Sequence, residues 1–205
     1  MKYKYLIIGI ITAALGIISY FIFDNVLSSV ALILLMILAL FFFLLFYYEI
    51  EKEPKNYKET VLAYLLKDDE VLMLKKNDVE DDMNSSKWLG IGGHIEENES
   101  PDDAILRETK EETGLTLTSY DLLGVIKFYY DKQYTEKIYV YLGYDFKGEM
   151  IPCDEGTLQF FKKDEIFNLP MWEGDKIFLK PLFENKKFKC SLYYEDNKLV
   201  NYKIR

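Results

Sequence analysis

Two long stretches without a single charge, Tyr5–Phe23 and Val26–Tyr48, fix what the N-terminal end of this chain can become. A helix rises about 1.5 Å per residue, so about twenty apolar residues cross the roughly 30 Å hydrocarbon core of a bilayer. Neither stretch carries the polar face that a core helix of a small domain shows to water. A cleaved signal would account for Lys2 and Lys4 before an apolar run, but this run is too long, no A-x-A site follows it, and a second run starts at Val26. Only Asp24 and Asn25 lie between the two, so the pattern predicts a tight transmembrane hairpin over residues 1–48. Lys2 and Lys4 precede it, Lys52, Lys55 and Lys58 follow it, and the turn has no Lys or Arg. By the positive-inside rule, residues 5–48 have the lipid bilayer of the cell membrane as partner, and both termini are cytoplasmic. Tyr47 and Tyr48 are expected at the headgroup level.

Residues 49–56, punctuated by Pro54, read as a linker. Beyond them, 57–205 has the length and pattern of one mixed α/β domain. The apolar runs Val61–Leu66 and Val71–Leu74 around Asp68 and Asp69 predict a hairpin. Strands are expected at Leu122–Tyr130, Lys137–Tyr144 and Leu158–Phe161, a helix over Trp172–Phe183, and a closing hairpin from Lys189–Tyr194 and Leu199–Ile204. Two cysteines, Cys153 and Cys190, are too few and too far apart for a disulfide framework or a zinc site, which fits a reducing compartment. The formal charge of −9 argues against a nucleic-acid polymer as partner and for carboxylates that gather cations. Oligomeric state leaves no trace in the sequence.

One helix is strongly marked. Ser100 is an N-cap, Pro101 suits the first helical position, Asp103 follows three residues after the cap, and Gly114 supplies the stop. Wound at about 100° per residue, Pro101–Thr113 turns Ile105, Leu106, Thr109 and Thr113 to one side as a core stripe. Glu108, Glu111 and Glu112 share an adjacent arc. Glu108 and Glu112 form a like-charge i, i+4 pair in the last turn, where the helix dipole also disfavours negative charge. A solvated face would mix Lys with Glu. A divalent cation relieves the clustering, since converging carboxylates are the hard oxygen ligands Mg²⁺ prefers. Arg107, at the side of the arc, is able to pair with a glutamate and hold it.

The segment from Gly93 to Leu115, GHIEENESPDDAILRETKEETGL, resembles the Nudix box, G-x5-E-x7-R-E-U-x-E-E-x-G-U with U apolar. Gly93, Glu99, Arg107, Glu108, Glu111, Glu112, Gly114 and Leu115 fit, and Thr109 departs mildly from the usual aliphatic residue. At average frequencies of about 7%, seven fixed identities recur at a given position by chance roughly once in 10⁸. The resemblance implies a Nudix α/β/α sandwich with a mixed sheet and a hydrolase of diphosphate linkages in nucleotides. It implies Mg²⁺ as cofactor, with Mn²⁺ as a substitute. It further implies Glu111, Glu112, the Gly92 carbonyl and Glu155 as metal ligands, Glu108 as general base, and Glu99 with Arg107 as the pair that orients the helix. The role of base varies among the box glutamates of the family.

Outside the box, KWLGIGGHIE and the stretch from Asp154 through the C-terminus resemble the MutT-like, oxidised-purine-triphosphatase branch. That resemblance implies a nucleotide substrate such as 8-oxo-dGTP, with Trp88, Trp172, Asp175 and His94 as substrate-binding residues. Trp172 is expected as an aromatic wall and Asp175 as an acid at the purine edge. Leu89 stands where an asparagine that bonds the base is common, and His94 where a lysine near the phosphates is common. Two other readings are open: the same chemistry on ADP-ribose, a dinucleoside polyphosphate or a capped RNA end, and an inactive nucleotide sensor or scaffold. Intact box carboxylates speak against the last.

Overall fold

The uncharged stretches are helical over residues 5–22 and 26–48 in the computed structural model, which describes residues 4–22, 26–51, 57–80 and 82–205. Helices α1 (Lys4–Ile22) and α2 (Val26–Glu51) pack against each other. Among their described side chains only Thr12 and Ala39 are buried, and Thr12 donates its hydroxyl to the Ile8 carbonyl at 2.8 Å. Ile10, Leu15, Ile33, Leu34 and Ile37 are exposed. Among the described residues no helix is long and apolar enough to cross a membrane. The expected turn at Asp24–Asn25, Lys2, the linker residues 52–56 and the Tyr47 and Tyr48 side chains lie outside what is described. By its contacts the chain divides into Met1–Lys55 and Asn56–Arg205.

The second unit is built on one mixed sheet. Its strands are β1 (Lys58–Lys67), β2 (Glu70–Lys76), β3 (Trp88–Leu89), β4 (Thr116–Tyr130), β5 (Gln133–Lys147), β6 (Gly156–Lys162), β7 (Phe188–Glu195) and β8 (Lys198–Ile204). The order is β3-β2-β1-β5-β4-β7-β8, with β6 also paired to β2. The pairs β1–β5 and β4–β7 are parallel. Alternation along β1 divides its side chains between two cores. Val61, Ala63 and Leu65 face the side covered by α3 (Pro101–Thr113), with Ala104 and Ile105. Leu62, Tyr64 and Leu66 face the side covered by α4 (Asp175–Phe183), with Phe178, Leu179 and Leu182. The result is three layers, α/β/α.

The β1–β2 hairpin closes over Asp68 and Asp69 as the sequence predicts. Strands β5 and β6 run longer at both ends than the expected Lys137–Tyr144 and Leu158–Phe161, and two other boundaries shift for a visible reason. Helix α4 begins at Asp175 rather than Trp172, because residues 172–175 make a turn in which the Asp175 N–H donates to the Trp172 carbonyl at 3.1 Å. Strand β4 begins at Thr116 rather than Leu122, and register shifts near Leu117–Tyr120 and Leu122–Gly124 break the alternation that would have marked its start.

One departure from regular pairing positions the site. Strands β1 and β2 pair only between Leu65↔Leu72 and Lys67↔Glu70. Beyond that they part, and residues 88–94 fill the wedge, pairing with β2 at Leu74↔Leu89 and Lys75↔Trp88 and with β1 at Ala63↔Ile91 and Thr60↔His94. The Val61 N–H donates to the Gly93 carbonyl at 2.9 Å, and Ala63 and Ile91 exchange bonds of 2.7 and 2.9 Å. Gly92 has φ of 155°, and a Cβ there would lie 2.0 Å from the Val61 carbonyl oxygen, so only glycine fits.

Candidate active site

Helix α3 starts and stops where its local signals put it. The Ser100 Oγ accepts from the Asp103 N–H at 3.1 Å, and Gly114 takes the left-handed conformation at φ 75°. Ala104, Ile105, Thr109 and Thr113 are buried, with Leu106 packed at the margin of the core. The three box glutamates of the helix then grade from inside to outside. Glu112 is 5% exposed, whereas the Glu111 side chain is 61% exposed.

Arg107 is the hub of this face. Its Nε and Nη2 each donate at 2.9 Å to the two oxygens of Glu99, a bidentate pair. Nη1 donates to Glu108 Oε1 at 2.8 Å and Glu111 Oε2 at 3.2 Å, and Nη2 also reaches the His94 carbonyl at 3.0 Å. The hydrogen bonds from Arg107 hold the Glu99 carboxyl below its usual range. Burial instead lifts the Glu108 carboxyl above its ordinary value despite the same guanidinium. The geometry therefore forms the expected Glu99–Arg107 pair and fixes Glu108 beside it.

Glu112 faces inward. Its Oε2 accepts from the Gly92 N–H at 2.9 Å, and its Oε1 is buried with no hydrogen-bond partner among the described residues. Burial pushes its carboxyl up to about 7; the Gly92 N–H and Lys76 oppose this, and Glu155 and Glu108 add to it. A Cβ on Gly93 would lie 2.5 Å from Glu108 Oε1, so the wedge backbone rests directly on that carboxylate. Glu155, more than half exposed, is ion-paired with Lys76. Burial alone would push the Lys76 ammonium down, but Glu155 and the charges of Glu112 and Asp82 carry it above its ordinary value. Lys76 escapes sequence reasoning; the only signal is a Lys-Lys pair where a strand enters a polar loop.

Among the described residues no three His, Cys, Asp or Glu side chains converge closely enough to hold a metal ion. Glu111 is engaged by Arg107 and Glu155 by Lys76. The donor chemistry nevertheless fits a hard divalent cation. The unpaired Oε1 of Glu112 is an oxygen that burial has stripped of partners, and neighbouring carboxylates keep proton affinity high around it.

Of the expected substrate-binding residues, Trp88 is buried in the core on the α4 side, edge-on to Phe161 at 4.7 Å. Trp172 is half-buried; its Nε1 donates to Asn84 Oδ1 at 2.8 Å, its edge meets Tyr194, and the Lys87 ammonium lies 4.4 Å from its ring centroid. Asp175 is 8% exposed, and burial pushes its carboxyl up to about 8, which favours the protonated form. His94 is exposed on the other side of the wedge, close enough to Glu136 to act on it electrostatically. Leu89 is half-buried between Trp88 and Gly90. The wedge thus links two places: Trp88 lies in the α4-side core, while Gly92, Gly93 and His94 touch Glu112, Glu108 and Arg107.

Residues 56–182, more than half of the chain, match the family model of the NUDIX domain, and the chain belongs to that family. It is a MutT-like Nudix hydrolase. Over 112 residues, 52% of this chain and 67% of the relative, it is 33% identical to the uncharacterized Nudix hydrolase YvcI of Bacillus subtilis. Over 90 residues, 43% of this chain and 57% of the relative, it is 33% identical to an oxidized purine nucleoside triphosphate hydrolase of Danio rerio. Among solved structures, MutT of Bacillus halodurans superposes with a TM-score of 0.65 at 27% identity, over 72% of this chain and 97% of that one. MutT of Methanosarcina mazei shares the fold, with a TM-score of 0.55 at 24% identity over 65% of this chain and 99% of the other. Nudix hydrolases generally use divalent metal ions.

Proposed function

We propose that this protein is a Mg²⁺-dependent diphosphatase that splits purine nucleoside triphosphates, 8-oxo-dGTP among them, into the monophosphate and pyrophosphate, and that α1 and α2 tether it to a membrane with the Nudix domain in the cytoplasm. The observation that carries the chemistry is the Glu112 Oε1, buried with no partner among the described residues, on the helix where one arginine holds Glu108 and Glu111.

Glu112, Glu111, Glu155 and the Gly92 carbonyl are the groups that would hold the ion, with Mn²⁺ as a substitute. When bound, the ion offsets the charge of the phosphates and of the group attacking phosphorus. Glu108, held by Arg107 and with its proton affinity raised by burial, takes the proton from the attacking water. Glu99 keeps Arg107 in place through its bidentate pair. His94 is a phosphate contact in this reading. Trp172 gives the base a ring to stack on, and Asp175, carrying a proton, donates to an oxygen on its edge. Support for the substrate class comes from the zebrafish relative and from this pairing of an aromatic ring with a buried acid. The test is a panel of nucleotides, including ADP-ribose, given to the full-length protein with Mg²⁺ and followed by product identification. Monophosphate and pyrophosphate from purine triphosphates are expected; best activity on ADP-ribose would sink the substrate assignment while leaving the hydrolase chemistry.

Support for the tether comes from the uncharged runs themselves and from apolar side chains such as Ile33, Leu34 and Ile37 that lie exposed on α2. A contiguous apolar surface of this kind calls for a lipid or protein neighbour. Fractionation of cells expressing the full chain checks it, with recovery in membranes expected and recovery in the soluble fraction contradicting it.

A further inference from the structure

Tyr64 and Asp175 are buried polar groups on the same side of the sheet, and the chemical step uses neither. Tyr64 lies mid-strand in β1 among Leu62 and Leu66 and is 0% exposed. Its hydroxyl has no hydrogen-bond partner among the described residues. The ring is pinned edge-on to Phe178 and Phe183 of α4, each at 6.3 Å. Burial raises the phenol's proton affinity most, the charge of the Asp175 carboxyl at the start of that helix adds to it, and the Gly90 backbone opposes it. No side-chain hydrogen bond of Asp175 occurs among the described residues; burial alone accounts for its shift.

A phenylalanine would fill the same space among the same neighbours with no polar atom to strand. Buried polar groups are almost always paired, so a stranded hydroxyl near a buried carboxyl that makes no side-chain hydrogen bond among the described residues calls for a common partner. Gly90 and Leu89 lie on the wedge that also touches Glu112 and Glu108, and the Leu89 side chain has no polar atom to offer. We propose that Tyr64 is a specificity-determining residue of the nucleotide pocket: its hydroxyl and the Asp175 carboxyl together receive the polar edge of the purine base, a role the side chain of Leu89 is unable to fill. This rests on the purine triphosphatase reading above. A hydroxyl and a protonated carboxyl each donate one hydrogen bond and accept others. A purine edge with an oxygen next to a ring N–H offers the complementary pair. A site built to hydrogen-bond its substrate rejects one that lacks the matching atoms, and this places the effect in selectivity rather than in turnover.

The experiment measures kcat/KM of the full-length enzyme for a purine and a pyrimidine triphosphate in wild type, Tyr64→Phe and Asp175→Asn, with a melting curve for each. Tyr64→Phe should lower the purine-to-pyrimidine ratio about tenfold, mostly through KM for the purine, and should not lower the melting temperature, since it removes a hydroxyl that has no partner among the described residues. Asp175→Asn should lower the ratio as well, and the double variant should lose less than the product of the two losses because both groups serve one base edge. A purine-selective wild type whose ratio is unmoved by Tyr64→Phe overturns this assignment alone. A wild type indifferent to the base overturns the functional reading and this assignment with it.

Discussion

The two faces of the sheet hold their polar groups in different surroundings. On the α3 face Arg107 gathers Glu99, Glu108, Glu111 and a backbone carbonyl, while the neighbouring Glu112 Oε1 is left without a partner among the described residues. On the α4 face the Tyr64 hydroxyl sits in an apolar core with no hydrogen-bond partner among the described residues, and the Asp175 carboxyl is buried nearby. Leaving such a group unsatisfied costs about 1–3 kcal/mol, a cost that a structural core avoids and a binding site recovers from its ligand. On the proposed reading the contrast separates the labour: the α3 face serves one chemistry that every substrate shares, and the α4 face serves the recognition of the base.

The sharpest way to break this division is at Glu112. Glu112→Gln keeps the Gly92 contact but removes the ionised oxygen, and turnover should fall by at least about 100-fold with the fold intact. Mg²⁺ titration and circular dichroism check it, and full activity with Mg²⁺ still required would contradict it. Next in size, Arg107→Ala frees three carboxylates at once. A loss of about 1–3 kcal/mol in stability is expected together with lower turnover, read by denaturant unfolding.

How much of this was legible in the sequence follows the same division. The α3 side announces itself locally: Ser100 and Gly114 bracket the helix, and an arginine next to one glutamate and within a turn of two others has no bland purpose. The β1–β2 hairpin is equally legible, because two short apolar runs flank two aspartates. The wedge is not, since KWLGIGGH has neither helical nor strand period and its place depends on β1 and β2 parting. Tyr64 is invisible for a related reason: in a run of apolar residues a tyrosine reads as one more core ring, and only the tertiary structure shows that its hydroxyl is stranded. Lys76 reads as a strand-end solvent residue until Glu155, 79 positions away, is folded against it.

A smaller effect tests the α4 face by pH. The Asp175 carboxyl is pushed from an ordinary 3.8 up to about 8 in the folded protein. Between those values the folded state keeps a proton that the unfolded chain has released, so stability falls as pH rises and levels off above about pH 8. Glu112, pushed up to about 7, contributes the same sign lower in the window. Asp175→Asn should therefore flatten the decline in melting temperature, most clearly between about pH 7 and 8, in the absence of added metal. A decline of unchanged slope would show that Asp175 is ionised in the folded state. Smallest of all, Leu89→Asn supplies a side-chain amide on the wedge and should raise the preference for 8-oxo-dGTP over dGTP by a few-fold, measured as a ratio of kcat/KM.

The division of labour is tested most directly by measuring kcat/KM for one purine and one pyrimidine triphosphate in Glu112→Gln and Trp172→Ala side by side. Glu112→Gln should lower both by the same large factor and leave their ratio alone, while Trp172→Ala should lower the purine about tenfold and the pyrimidine far less. A ratio that moves in Glu112→Gln, or one that stays fixed in Trp172→Ala, contradicts the account.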